Sequence, residues 1–172
     1  MVFSGATEGQ SKECTMKLDR IDRKILDLLQ DEGRITNQEL AQRAGLSPAP
    51  CLRRMRTLEQ QGVIRKYVAL LDVDIIGFGL DVIVDLRLKE QTREFFDRFE
   101  RRIVKLPEVL ECCLVAGEWD YCLRVLAEDL RGYQSFLLDR LMTGDSDIAS
   151  FRSTIIMKKV KSTTKVDLTS LR

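Results

Sequence analysis

The chain has 172 residues, with 28 Lys and Arg against 27 Asp and Glu, five cysteines and no histidine. This length suits one domain or two small ones, and a hydrophobic content of 44% can build a core, which excludes wholesale disorder. Because histidine is absent, Ser-His-Asp and Cys-His catalysis and histidine-based metal sites are excluded. The net charge of +1 is only a sum, and binding to a charged partner depends on where the charged residues lie along the chain.

Neither a targeting pattern nor a membrane span is evident in the sequence. Residues 1–16 are rich in small and polar side chains without periodicity, so we expect a flexible tail, with Met16 as an alternative start. The N-terminus lacks the basic start and apolar run of a secretory signal. No stretch approaches the roughly 18 consecutive apolar residues of a membrane span. We therefore expect a cytoplasmic protein.

The cysteines occur in an odd number and without the C-x-x-C spacing of redox and metal motifs. Four of the five lie within apolar patterns, where cysteine behaves as a small hydrophobic residue. We therefore expect reduced, buried thiols, and no metal or other cofactor. The residues concerned are Cys14, Cys51, Cys112, Cys113 and Cys122.

Residues 17–64 have the apolar spacing of three consecutive helices. Asp19 is placed to cap the first helix. Thr36, with Glu39 three residues later, has the spacing of a capping box for the second helix, and Gly45 ends it. Two helices joined by a glycine-containing turn and braced by a third are typical of a helix-turn-helix unit, here of the winged-helix-like type.

The third helix is predicted to begin at Pro48, since proline is favoured at the first helical position, and to run to about Gln61. The hydroxyl of Ser47 is placed to accept hydrogen bonds from its first amides. The helical projection gives this helix an inward face of Cys51, Leu52, Met55, Leu58 and Glu59. Its outward face is predicted to consist of Ala49, Arg53, Arg56, Thr57 and Gln60, with Arg54 on the flank.

The basic charge is concentrated around this third helix. Residues 46–66 contain five Lys and Arg against one acidic residue, whereas residues 71–172 contain 16 against 18. The start of the helix is small and polar, which suits close approach to base edges in a major groove, and the arginines behind it can reach guanine edges or phosphates. We therefore favour DNA binding over a merely solvated basic face.

Residues 80–168 alternate between strand and helix patterns in the order βαββαβ, which predicts a ferredoxin-like sandwich and an α+β fold for the whole chain. Residues 65–79 are predicted to form a linker and strand, and residues 169–172 a C-terminal tail. The strands are predicted at residues 80–89, 109–116, 121–127 and 153–160, and the helices at residues 92–106 and 129–141.

Both crossover helices should cover the same face of this sheet and leave the other face open. Ile83, Leu126 and nearby thiols interrupt the polar alternation, so the open face is expected to be partly apolar. We predict that this face pairs with a second copy in a two-fold dimer. Such a dimer would present two recognition helices to a near-palindromic DNA site.

Five segments of the chain match one known family in order and spacing. They are LDRIDRKIL from Leu18, GLSPAPCLRR from Gly45, LEQQGVI from Leu58, LPEVLEC from Leu106 and VAGEWDY from Val115. With these segments the chain resembles the Lrp/AsnC (leucine-responsive, or feast/famine) family of prokaryotic transcription regulators. The resemblance implies a DNA-binding N-terminal domain and a C-terminal RAM domain that dimerises, assembles further, often to octamers, and binds a small effector, usually an amino acid.

The same resemblance implies functional residues by position. Those implied at the DNA are Asn37, Gln38, Ser47, Pro48, Ala49, Arg53, Arg54 and Arg56. The effector site, which lies between dimers in the family, is implied at Gly117, Glu118, Trp119, Asp120, Tyr121, Leu123, Ser150 and Ser153. Glycine lets a backbone amide approach a ligand carboxylate, and Asp120 could pair with a ligand ammonium group. Ala116 and Cys113 stand where the family often has Thr and His, and the change at Ala116 removes one hydroxyl that could bind a ligand.

Three other functions are compatible with parts of this pattern. Haem-biosynthesis decarboxylases resemble the same family, but histidines are implicated in their chemistry and this chain has none. RNA-recognition motifs share the βαββαβ order but need stacking aromatic residues on their central strands. The last alternative is an architectural DNA-binding protein without a ligand switch, which only ligand titration separates from the favoured hypothesis. The favoured hypothesis is a sequence-specific DNA-binding regulator that responds to a small effector and is not an enzyme.

Overall fold

The computed structural model describes residues 17–143 and 147–169. Cys14 and the tail assigned to residues 1–16 lie outside the described residues, as do residues 170–172 of the C-terminal tail. No helix in the described part of the chain is both long and apolar enough to cross a membrane.

The N-terminal unit contains three helices whose starts follow the capping residues: α1 (Arg20–Asp31), α2 (Asn37–Ala44) and α3 (Pro48–Gln60). Asp19 caps α1, because its carboxylate accepts from the N–H of Ile21 and of Asp22, each at 2.8 Å. Thr36 and Glu39 form the predicted capping box of α2. The helices enclose a buried core of Ile25, Leu26, Leu40, Ala41, Ala44, Cys51 and Leu58.

The start of α3 differs from the prediction in one respect. Ser47 is the N-cap residue and Pro48 the first helical residue, but the Ser47 hydroxyl accepts no hydrogen bond from the helix. An N-cap side chain binds the second or third amide, and the third position is Pro50, which has no N–H. The inward face is also narrower than predicted, because Leu52 is 37% exposed and Glu59 is exposed.

A segment near the C-terminus completes this first unit. The described residues divide into one compact unit of residues 17–69 with 163–169 and another of residues 70–143 with 147–162. Sequence reasoning assigned residues 163–168 to the second domain, but they pack on α1. Gln30 exchanges two hydrogen bonds with the backbone of Val166, at 2.7 and 3.1 Å. Further contacts come from Lys165, which pairs with Asp27 and Asp31, and from Leu168, which packs on the helical core.

The second unit confirms the βαββαβ order. Its regular elements are β1 (Leu80–Leu88), α4 (Arg93–Ile103), β2 (Val109–Leu114), β3 (Tyr121–Ala127), α5 (Leu130–Ser135) and β4 (Ile148–Ile155). The antiparallel sheet has the order β2-β3-β1-β4. Alternate residues of the central strands, Val82, Val84, Leu86, Leu123 and Val125, are fully buried and pack in one core with Phe99 and Ile103 of α4 and Tyr133 of α5.

Two predicted elements are placed differently in the structure. The last strand was predicted at residues 153–160, but β4 begins and ends five residues earlier, because its backbone pairs with β1 from Ile155 opposite Val82 to Ile148 opposite Leu88. The helix predicted over residues 129–141 is interrupted, since α5 is followed by a π-helical turn at Phe136–Leu141. This turn buries Phe136 and Leu141 together.

The open face of the sheet is more polar than predicted. Asp81 on β1 binds Arg124 and Lys159, and Asp85 on the same strand binds Arg152. Each pair joins neighbouring segments across the sheet surface. The face therefore carries a network of ion pairs, in which Leu126 is buried and Ile83 half-buried.

Candidate functional sites

The start of α3 forms a continuous exposed surface. Ser47, Pro48 and Ala49 are exposed, and they are followed on the same side by the exposed side chains of Arg53 and Arg56. Neither arginine forms an ion pair with any described residue. This surface is small and polar at its tip and cationic behind it, as the sequence predicted, so its guanidinium groups can bind base edges or phosphates.

Arg54 has a different environment from its two neighbours. Its Nη1 lies 2.6 Å from a carboxylate oxygen of Asp19 and 2.7 Å from one of Asp22. The N–H of Asp22 and the Arg54 guanidinium outweigh burial and hold the pKa of Asp19 below its usual value. Arg54 therefore connects α3 to the capped start of α1, a contact that helical projection of α3 alone could not reveal.

The two α2 residues implied at the DNA also differ from each other. The side-chain amide of Asn37 donates to the carbonyl of Pro48 at 3.0 Å, which ties the start of α2 to the start of α3. Gln38, the next residue of α2, is exposed. Asn37 thus orients α3, whereas the side chain of Gln38 is open to solvent.

The turn between β2 and β3 forms the second candidate site. Gly117 has a φ of 143°, a conformation that strongly favours glycine, and a Cβ there would meet no atom within 4 Å. The carbonyl of Glu118 accepts hydrogen bonds from the Arg87 guanidinium of β1, one of them at 3.1 Å. The hairpin is therefore held to the sheet through its backbone.

Trp119 lies against two cations. The guanidinium carbons of Arg152 and Arg87 are 5.3 and 5.8 Å from its ring centroid, within cation–π range. Its indole nitrogen is buried and has no hydrogen-bond partner in the described structure. Ser150 is opposite Arg87 in the strand register. Sequence reasoning missed both arginines. Arg87 is two residues after Asp85 on β1 and therefore lies on the same, open face, and Arg152 is opposite Asp85 on β4.

The remaining predicted effector residues have contacts within the chain. Asp120 is buried, and its two oxygens accept from the Leu88 N–H at 2.7 Å and from the Gln91 amide at 2.9 Å. The buried Tyr121 donates to Glu100 at 2.8 Å, and Leu123 is fully buried in the core. The hydroxyl groups of Ser153 and Tyr133 are 2.5 Å apart. The structure thus brings Gly117, Glu118, Trp119 and Ser150 together with two arginines, but not these other side chains.

Comparison with known proteins assigns a domain type to each part of the chain. Residues 18–65 match the model of a winged helix-turn-helix DNA-binding domain, and residues 81–166 match the Lrp/AsnC ligand binding domain. The chain belongs to the Lrp/AsnC family. The leucine-responsive regulatory protein of Rhizobium meliloti is 41% identical over 153 residues, covering 89% of this chain and 97% of that protein. The Bkd operon transcriptional regulator of Pseudomonas aeruginosa is 43% identical over 144 residues, covering 84% and 94%.

Solved structures of Lrp/AsnC regulators share the fold. A transcriptional regulator of Neisseria meningitidis in complex with L-Met has a TM-score of 0.85 and 37% identity, covering 90% of this chain and 99% of that one. An AsnC family regulator of Agrobacterium tumefaciens has a TM-score of 0.82 and 36% identity, covering 88% and 97%. This Lrp/AsnC chain is accordingly a DNA-binding transcriptional regulator with a ligand-binding domain.

Proposed function

We propose that the chain reads promoter DNA with the exposed start of α3. Ser47, Pro48 and Ala49 approach the base edges, and Arg53 and Arg56 bind guanine edges or backbone phosphates. The observation that carries this assignment is the contrast among the three arginines of α3, since two are solvent-exposed and the third, Arg54, binds two carboxylates. Arg54 and Asn37 then position the helix, and Gln38 is free to meet the DNA backbone.

The DNA assignment is tested with binding sites selected from a random double-stranded library, followed by fluorescence anisotropy at fixed salt. Arg53→Ala is expected to weaken binding by about 1–3 kcal/mol if its guanidinium contacts a base, because one good base contact contributes that much discrimination. Arg101→Ala, which removes an exposed arginine of α4, is the matched control. Equal affinities of the two variants and the parent would remove Arg53 from the reading surface.

For the second site, we propose an amino acid as the effector, bound beside Trp119. Arg87 and Arg152 each carry five N–H donors, and the ion pair and carbonyl contacts described above leave donors for a ligand carboxylate. The glycine of the turn leaves space at its backbone, and Ser150 adds a hydroxyl. The Neisseria relative was solved with L-Met, which favours the same ligand class here. Asp120 has a positioning role in this proposal, because both of its oxygens bind within the chain.

The chain has a single tryptophan, so its fluorescence reports directly on this site. Titration with each of the twenty amino acids is expected to give a saturable change for at least one. Arg152→Ala is expected to weaken that binding by about tenfold or more, since a charge-assisted hydrogen bond contributes about 1.5–3 kcal/mol. Arg101→Ala again serves as the control. If no amino acid changes the fluorescence or the unfolding temperature, the ligand-independent architectural function is favoured instead.

We further propose that the regulator acts in the cytoplasm as a homodimer that assembles to a higher oligomer, up to an octamer. A two-fold dimer presents two copies of α3 to pseudo-palindromic DNA. The effector shifts promoter occupancy only if it binds one assembly better than another. We propose no enzymatic activity, because the haem-biosynthesis alternative relies on histidines that the chain lacks. Light scattering with and without the bound amino acid tests the assembly.

A further inference from the structure

Two cysteines face each other across the hairpin that carries the candidate effector site. Cys113 on β2 is the direct register partner of Cys122 on β3. Directly opposed residues of antiparallel strands point to the same side of the sheet, here the open face. Cys113 is exposed and Cys122 half-buried, which contradicts the expectation of buried thiols at both positions. Because β2 is an edge strand, Cys113 lies at the rim of the open face.

The separation of such a pair suits a disulfide. Opposed residues in an antiparallel ladder have Cα atoms about 4.5–5.5 Å apart, and disulfides span Cα distances of about 4.4–6.8 Å. Their Cβ atoms are about 4.5–5.5 Å apart, slightly more than the roughly 3.5–4.5 Å of a relaxed disulfide. A bridge would therefore pull the two strands together and store some strain, which makes it easily reduced.

We propose that Cys113 and Cys122 form a reversible intrachain disulfide when the protein meets hydrogen peroxide. The opposition of two thiols on one face, with Cys113 exposed on the edge strand, carries the proposal. In the two-fold dimer predicted for this face, peroxide reaches the pair from that edge. Cys51 is fully buried in the helical core, and Cys112 packs against the core on the other face of the sheet. Neither is placed to join the bridge.

The chemistry consumes one peroxide for each bridge. The Cys113 thiolate attacks one peroxide oxygen, which forms a sulfenic acid and releases hydroxide. The Cys122 sulfur then attacks the sulfenic sulfur, expels its oxygen as hydroxide, and loses its own proton. Together, two thiols and one peroxide give one disulfide and two waters, so the two electrons lost by sulfur reduce the peroxide. Burial and Asp85 raise the pKa of Cys122, which assigns the first attack to the exposed Cys113.

The bridge would close a ring around the effector hairpin. Cys113 and Cys122 flank residues 114–121, which include the whole turn from Gly117 to Asp120. Oxidation fixes the base of this hairpin. If the turn binds the effector, as proposed above, oxidation changes effector affinity; formation of the disulfide itself does not depend on that function.

Peptide mapping tests the bridge in the intact protein. Cleavage after Lys and Arg gives one peptide, residues 106–124, that contains Cys112, Cys113 and Cys122. After equimolar peroxide, denaturation and alkylation, the labels on this peptide are expected to fall from three to one, with the remaining label on Cys112. Dithiothreitol is expected to restore all three. Cys112→Ser is the matched control, since it should still lose two labels, whereas Cys113→Ser, which lacks the thiol that peroxide attacks, should keep two.

Each other result overturns the proposal. These results are a bridge that includes Cys112, a bridge between two chains on a non-reducing gel, addition of oxygen to Cys113 without a bridge, and no loss of labels. Because the parent protein alone identifies the labelled residue by fragmentation, the test stands even if a serine variant folds poorly. A negative result would leave DNA and effector binding untouched, since these are measured separately by anisotropy and Trp119 fluorescence.

Discussion

Replacement of Arg54 by alanine is expected to destabilise the helical unit by about 2 kcal/mol. The magnitude follows from the two carboxylates that share its guanidinium. The side chain of Asp22 is only 12% exposed, so its charge-assisted hydrogen bond falls within the range of about 1.5–3 kcal/mol for such bonds. The side chain of Asp19 is 49% exposed, and a pair so accessible to water contributes at most about 1 kcal/mol. Because Arg54 is 33% exposed, water partly screens both interactions, so their summed contribution to stability lies near the lower end of this range, at about 2 kcal/mol.

Thermal unfolding followed by far-ultraviolet circular dichroism measures this loss. For a domain of 60–100 residues, about 2 kcal/mol corresponds to a decrease in Tm of about 10 °C. Hydrogen exchange of peptides from α1 and α3 assigns the effect to the first unit. Arg53→Ala is the control, because removal of an exposed arginine that forms no ion pair with the described residues should change stability by no more than about 0.5 kcal/mol.

A double-mutant cycle measures the interaction energy between Arg54 and Asp22 separately from the other contacts of the two side chains. Asp22→Ala also removes the bond to the Asp19 N–H, but this contribution cancels in the cycle. We expect a coupling of about 1–2 kcal/mol between Arg54 and Asp22. A coupling near zero, together with an unchanged Tm for Arg54→Ala, would refute the assignment of Arg54 to the α1–α3 contact and return it to the DNA-reading surface.

Two further predictions concern stability. Gly45→Ala should cost about 1–2 kcal/mol in thermal unfolding, because Gly45 has a φ of 77° and no neighbour that a methyl group would meet, so the cost is backbone strain alone; an effect no larger than that of the control Gly33→Ala would contradict this. Burial raises the pKa of Asp81, but Arg124 and Lys159 lower it more, so that in the folded protein it lies below the usual 3.8. The contribution of Asp81 to the free energy of unfolding is therefore present above pH 3.8 and is lost as the pH falls through the pKa of the folded state. Thermal unfolding near neutral pH and near pH 3 should show this loss in the parent and a smaller one in Asp81→Asn; equal losses would contradict the role of Asp81.

Local signals in the sequence accounted for much of the fold. Asp19 and the Thr36–Glu39 pair each act within one helical turn, so their roles were evident from spacing alone. Period-two alternation similarly located β1, in which Val82, Val84, Leu86 and Leu88 are buried and the residues between them are not. These features depend on neighbours in the chain, which the sequence displays directly.

Features that depend on distant residues were placed less well. The position of β4 is fixed by its register with β1, and its own residues have no strong alternation, so the apolar run near Ile155 misled the prediction. Arg152 binds Asp85, 67 residues away, and Arg54 binds Asp22, 32 residues away. No local pattern encodes such partners, and for that reason the arginines beside Trp119 were missed.

The same contacts refine the meaning of the charge distribution. Residues 46–66 have five cations against one acidic residue, but the carboxylates of Asp19 and Asp22, at the start of α1, bind the guanidinium of Arg54. Within the described part of the chain, folding leaves the other four cations of this region, Arg53, Arg56, Arg65 and Lys66, exposed and without an ion pair. We propose that these are the charges that meet DNA. Binding that releases counterions should therefore depend on these four side chains, and the salt dependence of DNA affinity should decrease by about one unit of slope for each phosphate contact removed.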